Sequence, residues 1–82
     1  MKMNNHRLIL NGYKTKRAFE TSGLTNPLGA AIVSEMSYVM CSRIWNGENL
    51  TVNKPTVLKL KALFGVEITR GLFVIEMEQR AG

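Results

Sequence analysis

The spacing of apolar residues predicts a series of short helices that end at glycine or asparagine. The first helix is predicted over residues 13–22, with Tyr13, Ala18 and Phe19 as candidate core contacts. Gly23 fits the position that stops a helix, because glycine adopts the left-handed conformation without steric cost.

The second helix has a clearly marked start. Asn26 is a good N-cap, and Pro27 fits the first helical position, where its missing N–H costs nothing. The helix is predicted to run over residues 27–34, with Ala30 and Ala31 small enough for close helix packing. Its larger apolar residues fall on one side at helical spacing together with Ala31, namely Leu28 and Ile32.

A third helix is predicted from its cap at Ser37 to about Trp45, and Asn46-Gly47 ends it. Helical spacing divides its residues between two sides. The inward side carries Met36, Cys41 and Ile44. The outward side carries Tyr38, Val39, Ser42 and Arg43.

Residues 48–53 read as a loop before a fourth helix, which Asn53 or Lys54 caps. An apolar stripe marks this helix, formed by Val57, Leu60, Leu63 and Phe64. Gly65 is expected to close it, with Val66 making the hydrophobic contact of a Schellman stop.

The two ends of the chain allow more than one form. Residues 1–5 read as a loose start, and residues 6–10 favour a short strand but also suit the beginning of the first helix. Within the tail from Ile68 to Gly82, the alternation around residues 73–78 is typical of an edge strand, although a helix also fits. Either form leaves apolar residues that make the tail a candidate dimer interface: Leu72, Phe73, Ile75 and Met77.

These elements predict a mainly α fold, a compact helix-turn-helix domain of four to five helices with an optional short strand at either end. The domain covers residues 13–67, between a basic arm or short strand at 1–12 and the tail at 68–82. An 82-residue chain supports only one modest core, so self-association is a reasonable expectation.

The positive charge of the chain is concentrated at its start. The formal net charge is +5, and from residue 18 onward six Lys and Arg balance six Glu. The excess therefore lies in the first 17 residues: Lys2, Arg7, Lys14, Lys16 and Arg17. A basic segment on a neutral domain suits a polyanion such as nucleic acid, although a solvated, solubilising N-terminus explains the charge equally well.

The composition argues against an enzyme and against a membrane protein. The chain has one His, one Cys and no Asp, and neither metal-ligand spacing nor a glycine-rich phosphate loop is present. We therefore expect no catalytic residue, metal or cofactor, and no small-molecule effector is evident. With a single buried cysteine, no signal peptide and no long apolar stretch, the cytoplasm is the expected compartment.

Three runs of residues resemble the phage-repressor or Cro-like (XRE) family of helix-turn-helix proteins, and the resemblance covers roughly residues 15–68. The runs are Gly23-Leu24-Thr25-Asn26, Ser42-Arg43-Ile44-Trp45-Asn46-Gly47 and the stretch from Val57 to Val66. The family usually has glycine in the turn between the second and third helices. This chain has Ser34-Glu35-Met36 there, so Glu35 is expected in a strained left-handed conformation.

The resemblance implies a recognition helix at about residues 37–46 that enters the major groove of double-stranded DNA. The implied base contacts are Tyr38, Val39, Ser42 and Arg43, with Arg43 the most specific because its fork matches guanine O6 and N7. The implied phosphate contacts are Asn26, Ser37 and Asn46, joined by Lys14, Lys16 and Arg17 from the basic segment.

These features predict a sequence-specific transcription regulator, a repressor or control protein of a phage, plasmid or mobile element that binds a palindromic operator as a homodimer. The alternative is a protein-interaction adaptor, such as an antitoxin, that uses the apolar tail with Tyr38, Val39 and Trp45. For Trp45 the favoured prediction is packing over the loop at 48–52 rather than contact with a partner. A third option is an architectural DNA-binding protein without sequence preference.

Overall fold

The computed structural model describes the backbone of residues 6–77 and the side chains of residues 8–74. Residues 1–5 and 78–82, which hold the predicted loose start and the end of the predicted tail, lie outside the described residues. The described part of the chain contains four helices and three strands, in the order β1 His6–Leu10, α1 Gly12–Thr21, α2 Pro27–Ser34, α3 Tyr38–Trp45, β2 Leu50–Thr51, α4 Lys54–Leu72 and β3 Phe73–Met77.

The fold is mainly helical, and a small antiparallel sheet brings its two ends together. The strand order is β2–β1–β3, so β1 lies in the centre and pairs with both of its neighbours. Leu10 is opposite Leu50 on one side and opposite Phe73 on the other. The predicted strand over residues 6–10 is confirmed, and the tail forms a strand only after α4 has continued to Leu72.

Each helix begins at a polar residue whose side chain satisfies a free backbone N–H of the first turn, as helix starts require. Asn11 Oδ1 accepts from Lys14 N at 2.9 Å, and Asn53 Oδ1 accepts from Thr56 N at 3.2 Å. The caps predicted at Asn26 and Ser37 are confirmed for α2 and α3. Because these signals are local, they fix the helix starts closely.

The connection between α2 and α3 is a tight turn of three residues. Glu35 has φ 63° and ψ 26°, the left-handed conformation expected for it from the sequence. Its N–H donates to the Ala31 carbonyl at 2.9 Å, and its own carbonyl accepts from Lys59 Nζ at 2.9 Å. The ammonium group of Lys59 therefore holds the end of α2 from across the domain, where a positive charge also complements the helix dipole.

The core lies between the helices and one face of the sheet. Its buried hydrophobic residues come from the four helices, from β1 and β2 and from the turn before α3, and they are Leu10, Phe19, Ala30, Met36, Cys41, Ile44, Leu50, Leu60 and Leu72. The Phe19 ring packs against Trp45 and Phe64, with centroids 5.7 and 5.2 Å away. Trp45 therefore packs against the core of its own chain, whereas the prediction placed it over the loop at 48–52.

The core contact predicted for Tyr13 is wrong, because this side chain is exposed. On α2, the large residues Leu28 and Ile32 are exposed as well, whereas Ala30 and Ser34 are buried. The reason is close packing, since α2 meets its neighbours through small side chains and turns its large ones outward. Ser34 is accommodated in the core because its hydroxyl donates to the Ala30 carbonyl at 2.6 Å and accepts from Met36 N at 3.2 Å.

Gly65 ends the first helical stretch of α4, as predicted, and a second helical stretch follows it. Its φ of 88° and ψ of 167° lie in a region that essentially only glycine occupies, and helix resumes beyond it. The Thr69 hydroxyl donates to the Leu60 carbonyl at 3.1 Å and links the two halves across the break. Val66, which was expected to make the capping contact, is 57% exposed.

Candidate nucleic-acid interface

Helix α3 has one face in the core and the other in solvent. Cys41 and Ile44 are fully buried, as their spacing predicted. On the opposite side, Tyr38 is 54% exposed and Val39 is 68% exposed. Arg43 is also exposed, whereas Ser42 is half-buried. The structure therefore brings three of the four predicted base-contact residues together on an open helix face, with Ser42 at its border.

The guanidinium of Arg43 forms an ion pair with Glu48. Arg43 Nε donates to Glu48 Oε1 at 2.9 Å, and the backbone N–H of Glu48 donates to the Arg43 carbonyl at 3.1 Å. Glu48 was not identified from the sequence. Its position, five residues after Arg43 and directly after the helix stop at Gly47, could have indicated that the two side chains pair. The pair leaves the two terminal nitrogens of Arg43 available as donors.

The predicted phosphate contacts at the helix starts already act as caps. Asn26 Oδ1 accepts from Gly29 N at 2.8 Å, and Ser37 Oγ accepts from Met40 N at 3.1 Å. Both residues are exposed, and each retains a donor, the Asn26 amide and the Ser37 hydroxyl. Asn46 is exposed at the C-cap of α3. All three can donate to a phosphate without giving up their role in the fold.

An open groove with a volume of about 480 Å³ lies between α3 and β2, the strand that follows it. Ser37, Val39 and Arg43 form its α3 side. Asn49 and Thr51 contribute further polar groups from the loop and from β2, and both are exposed. Neither residue was predicted to contact DNA, because β2 is only two residues long and residues 48–53 were predicted as a loop. Its position depends on pairing with Ile9 and Leu10, which no local signal reveals.

The three cations of α1 are not equivalent. Lys14 and Arg17 line a groove that α1 forms with the second half of α4, and Arg17 lies 5.9 Å from the centroid of the Tyr13 ring. Lys16 lies one helical turn from Gly12, whose backbone contacts Glu48. Of these three cations on α1, Lys16 is therefore the one on the side of the helix that faces the end of α3.

The predicted dimer interface is corrected at Leu72. This side chain is buried in the core of its own chain, because α4 continues to it and packs it inward. Phe73 is half-buried and packs against the same core. The side chains of Ile75 and Met77 lie outside the described residues, but their backbone belongs to β3, an outer strand of the sheet.

The surface beside α3 is apolar as well as polar. On α2, Leu28 is 57% exposed and Ile32 is 69% exposed, one helical turn apart. Val33 is exposed on a further side of the same helix. Such residues are more typical of a surface that meets another protein than of one that meets phosphates.

Other functional features are few in the part of the chain that the structure describes. Residues 6–77 contain no helix that has both the length and the hydropathy of a membrane span. Among the described side chains, no three His, Cys, Asp or Glu residues come together as metal ligands. Burial raises the pKa of the Cys41 thiol, and a hydrogen bond with Ser34 offsets part of this effect. Neither a family model nor a curated protein nor a solved structure matches the chain.

Proposed function

We propose that this protein is a sequence-specific DNA-binding transcription regulator, in which α3 is the recognition helix. The observation that supports this most directly is the open face of α3, which carries Tyr38, Val39 and Arg43 while Cys41 and Ile44 anchor the opposite face. A helix fixed in this way presents its side chains as one rigid surface, and a major groove is wide enough to admit it.

The turn before α3 supports the same proposal. A three-residue connection, held by the Ser37 cap and by the bond from Lys59 to the Glu35 carbonyl, fixes α3 relative to α2. With α2 and α3 fixed relative to each other, α3 can contact base edges while α2 contacts the phosphate backbone. The capped N-termini of both helices also direct positive dipole ends toward solvent, where phosphates can bind.

We propose further that the regulator binds a palindromic operator as a homodimer. Among the described residues, β3 has a strand neighbour on one side only, and an edge of this kind can pair with an identical strand of a second copy. Two symmetric recognition helices would enter successive major grooves about 34 Å apart. A repressor or control protein of a phage, plasmid or mobile element, working in the bacterial cytoplasm, fits this arrangement.

The test is Arg43→Ala on the duplex that the wild-type chain selects from a random pool. We expect a loss of about 1–3 kcal/mol in specific binding and relaxed preference at one base pair. Lys61→Ala, which removes one charge from an exposed site on α4, is the matched control and should preserve the preference. If both variants kept the wild-type ratio of specific to random binding, α3 would not be the reader.

The apolar surface of α2 favours a second candidate function, an adaptor that binds a protein. Leu28, Ile32 and Val39 would supply its contacts, and no DNA would be involved. A gel shift with random duplex at low salt discriminates between the two, because a DNA-binding domain retains nonspecific affinity under those conditions. Absence of any shift would favour the adaptor.

A further inference from the structure

The ion pair between Arg43 and Glu48 does little for the stability of the fold. Its two side chains are 55% and 42% exposed, and pairs as accessible as this contribute weakly to folding because water screens them. The pair does, however, restrict where the Arg43 guanidinium can lie. A side chain that binds a partner needs support of this kind, because a neighbouring residue must hold it close to the geometry that binds.

Glu48 is well suited to hold another side chain, because its own backbone is fixed. Its N–H is bonded to the Arg43 carbonyl, and a Cβ added at Gly12 would overlap the Glu48 carbonyl oxygen, so α1 packs directly onto this peptide. Two residues later β2 joins the sheet at Leu50. The carboxylate of Glu48 therefore projects from a rigid part of the loop.

We propose that Glu48 is a positioning residue that orients Arg43 to read a guanine. This inference rests on the proposed function. With Nε bonded to Glu48 Oε1, the guanidinium keeps its Nη1 and Nη2 edge free. That edge can donate two parallel hydrogen bonds to guanine O6 and N7. A bidentate contact of this kind is lost when the guanidinium group rotates out of the plane of the base.

The charge of the pair gives a second consequence. Glu48 offsets the positive charge of Arg43, so Arg43 adds little to the general attraction for phosphates while the pair is intact. Removal of the carboxylate frees Arg43 to contact phosphates at any sequence. Affinity for random DNA should therefore rise while discrimination falls, and these opposite changes separate positioning from a simple loss of contact.

The experiment compares the full chain with Glu48→Ala, Glu48→Gln and the matched control Glu20→Ala, which removes an equal charge from an exposed site on α1. The probes are the duplex selected by the wild-type chain, its single-base variants and a random duplex. Glu48→Ala should lower the preference for the guanine by about three- to tenfold, part of the value of a bidentate contact. Glu48→Gln, which retains an oxygen acceptor, should fall between Glu48→Ala and the wild type. All three variants lose one negative charge, so each should bind random duplex about twofold more tightly at low salt.

A double-mutant cycle with Arg43→Ala separates positioning from direct contact. Once Arg43 is absent, Glu48→Ala should no longer change the base preference, because the residue that Glu48 orients is gone. Thermal unfolding of each variant confirms that the chain is folded in the assay. A change of preference that persists without Arg43 would mean that Glu48 contacts a base itself, and it would overturn the inference.

The inference and the proposed function can fail separately. If the wild-type chain selects a sequence but Glu48→Ala keeps the full guanine preference, the positioning role is wrong and the regulator remains. If the wild-type chain selects no sequence at all, the proposed function is wrong and the positioning role is wrong with it.

Discussion

Glu35→Gly should make the protein more stable, although it removes a side chain. Glu35 is held at φ 63° in the turn between α2 and α3. In this region the Cβ of an L-residue lies too close to the following carbonyl oxygen, at a cost of about 1–2 kcal/mol that glycine does not have. The two bonds that define the turn involve only the backbone N–H and carbonyl of Glu35, so glycine keeps both.

The expected gain is smaller than the strain itself. Glycine makes the unfolded chain more flexible, which costs about 0.4–1 kcal/mol relative to residues with a side chain. The difference leaves a net rise of about 0.5–1 kcal/mol in the free energy of unfolding. For a domain of this size the midpoint of thermal unfolding should then rise by about 2–8 °C.

Urea unfolding at pH 7 measures the change, and Glu35→Ala is the matched control. Alanine removes the same charge and the same side chain but keeps the Cβ, so its stability should remain within about 0.5 kcal/mol of the wild type. The reasoning is refuted if Glu35→Gly is no more stable than Glu35→Ala, since the backbone strain would then be too small to matter.

Two further substitutions test the packing. Gly12→Ala should destabilise the chain by about 1–3 kcal/mol because the added Cβ would overlap the Glu48 carbonyl oxygen, whereas Gly71→Ala, with open space around it, should be neutral or stabilising in the same urea titration. Equal effects of the two would contradict the close contact between α1 and the loop. Because burial raises the pKa of the Cys41 thiol, stability is unaffected by this group below about pH 8.5 and declines above it, where the unfolded thiol ionises first. Cys41→Ala should show a smaller loss between pH 7 and pH 9.5, and an identical loss would contradict the assignment.

The sequence predicted the helix starts well because capping depends on neighbouring residues alone. Asn26, Ser37 and Asn53 each cap the helix expected of them, and Glu35 adopts a left-handed conformation in the turn where the resembled family usually has glycine. Gly23 and Gly47 both have positive φ at their predicted helix stops. Each of these features follows from hydrogen bonds and sterics within a few residues.

Features that depend on distant contacts were less predictable. Helical spacing on α2 shows that Leu28 and Ile32 share a side but not which side faces the core, and in the structure it is Ala30 that is buried. Gly65 carries the local signal of a stop and ends one helical stretch, but nothing in the local sequence showed that helix resumes as far as Leu72.

In the candidate site, too, the features set by neighbouring residues were predictable and those set by more distant contacts were not. Outward positions on α3 follow from periodicity, and the structure confirms the exposure of Tyr38, Val39 and Arg43. The partner of Arg43 does not follow from periodicity, because Glu48 reaches it only after the chain has turned at Gly47. DNA contact itself stays a prediction for all of these residues.

The most direct test of the account is selection of bound duplexes from a random pool by the wild-type chain, with its mass measured in solution. We expect a palindromic sequence with a guanine in each half-site, half-sites about one helical turn apart and the mass of a dimer. A pool that stays random after repeated selection, from a chain that is folded and binds no duplex at low salt, would contradict the assignment of α3 as a recognition helix.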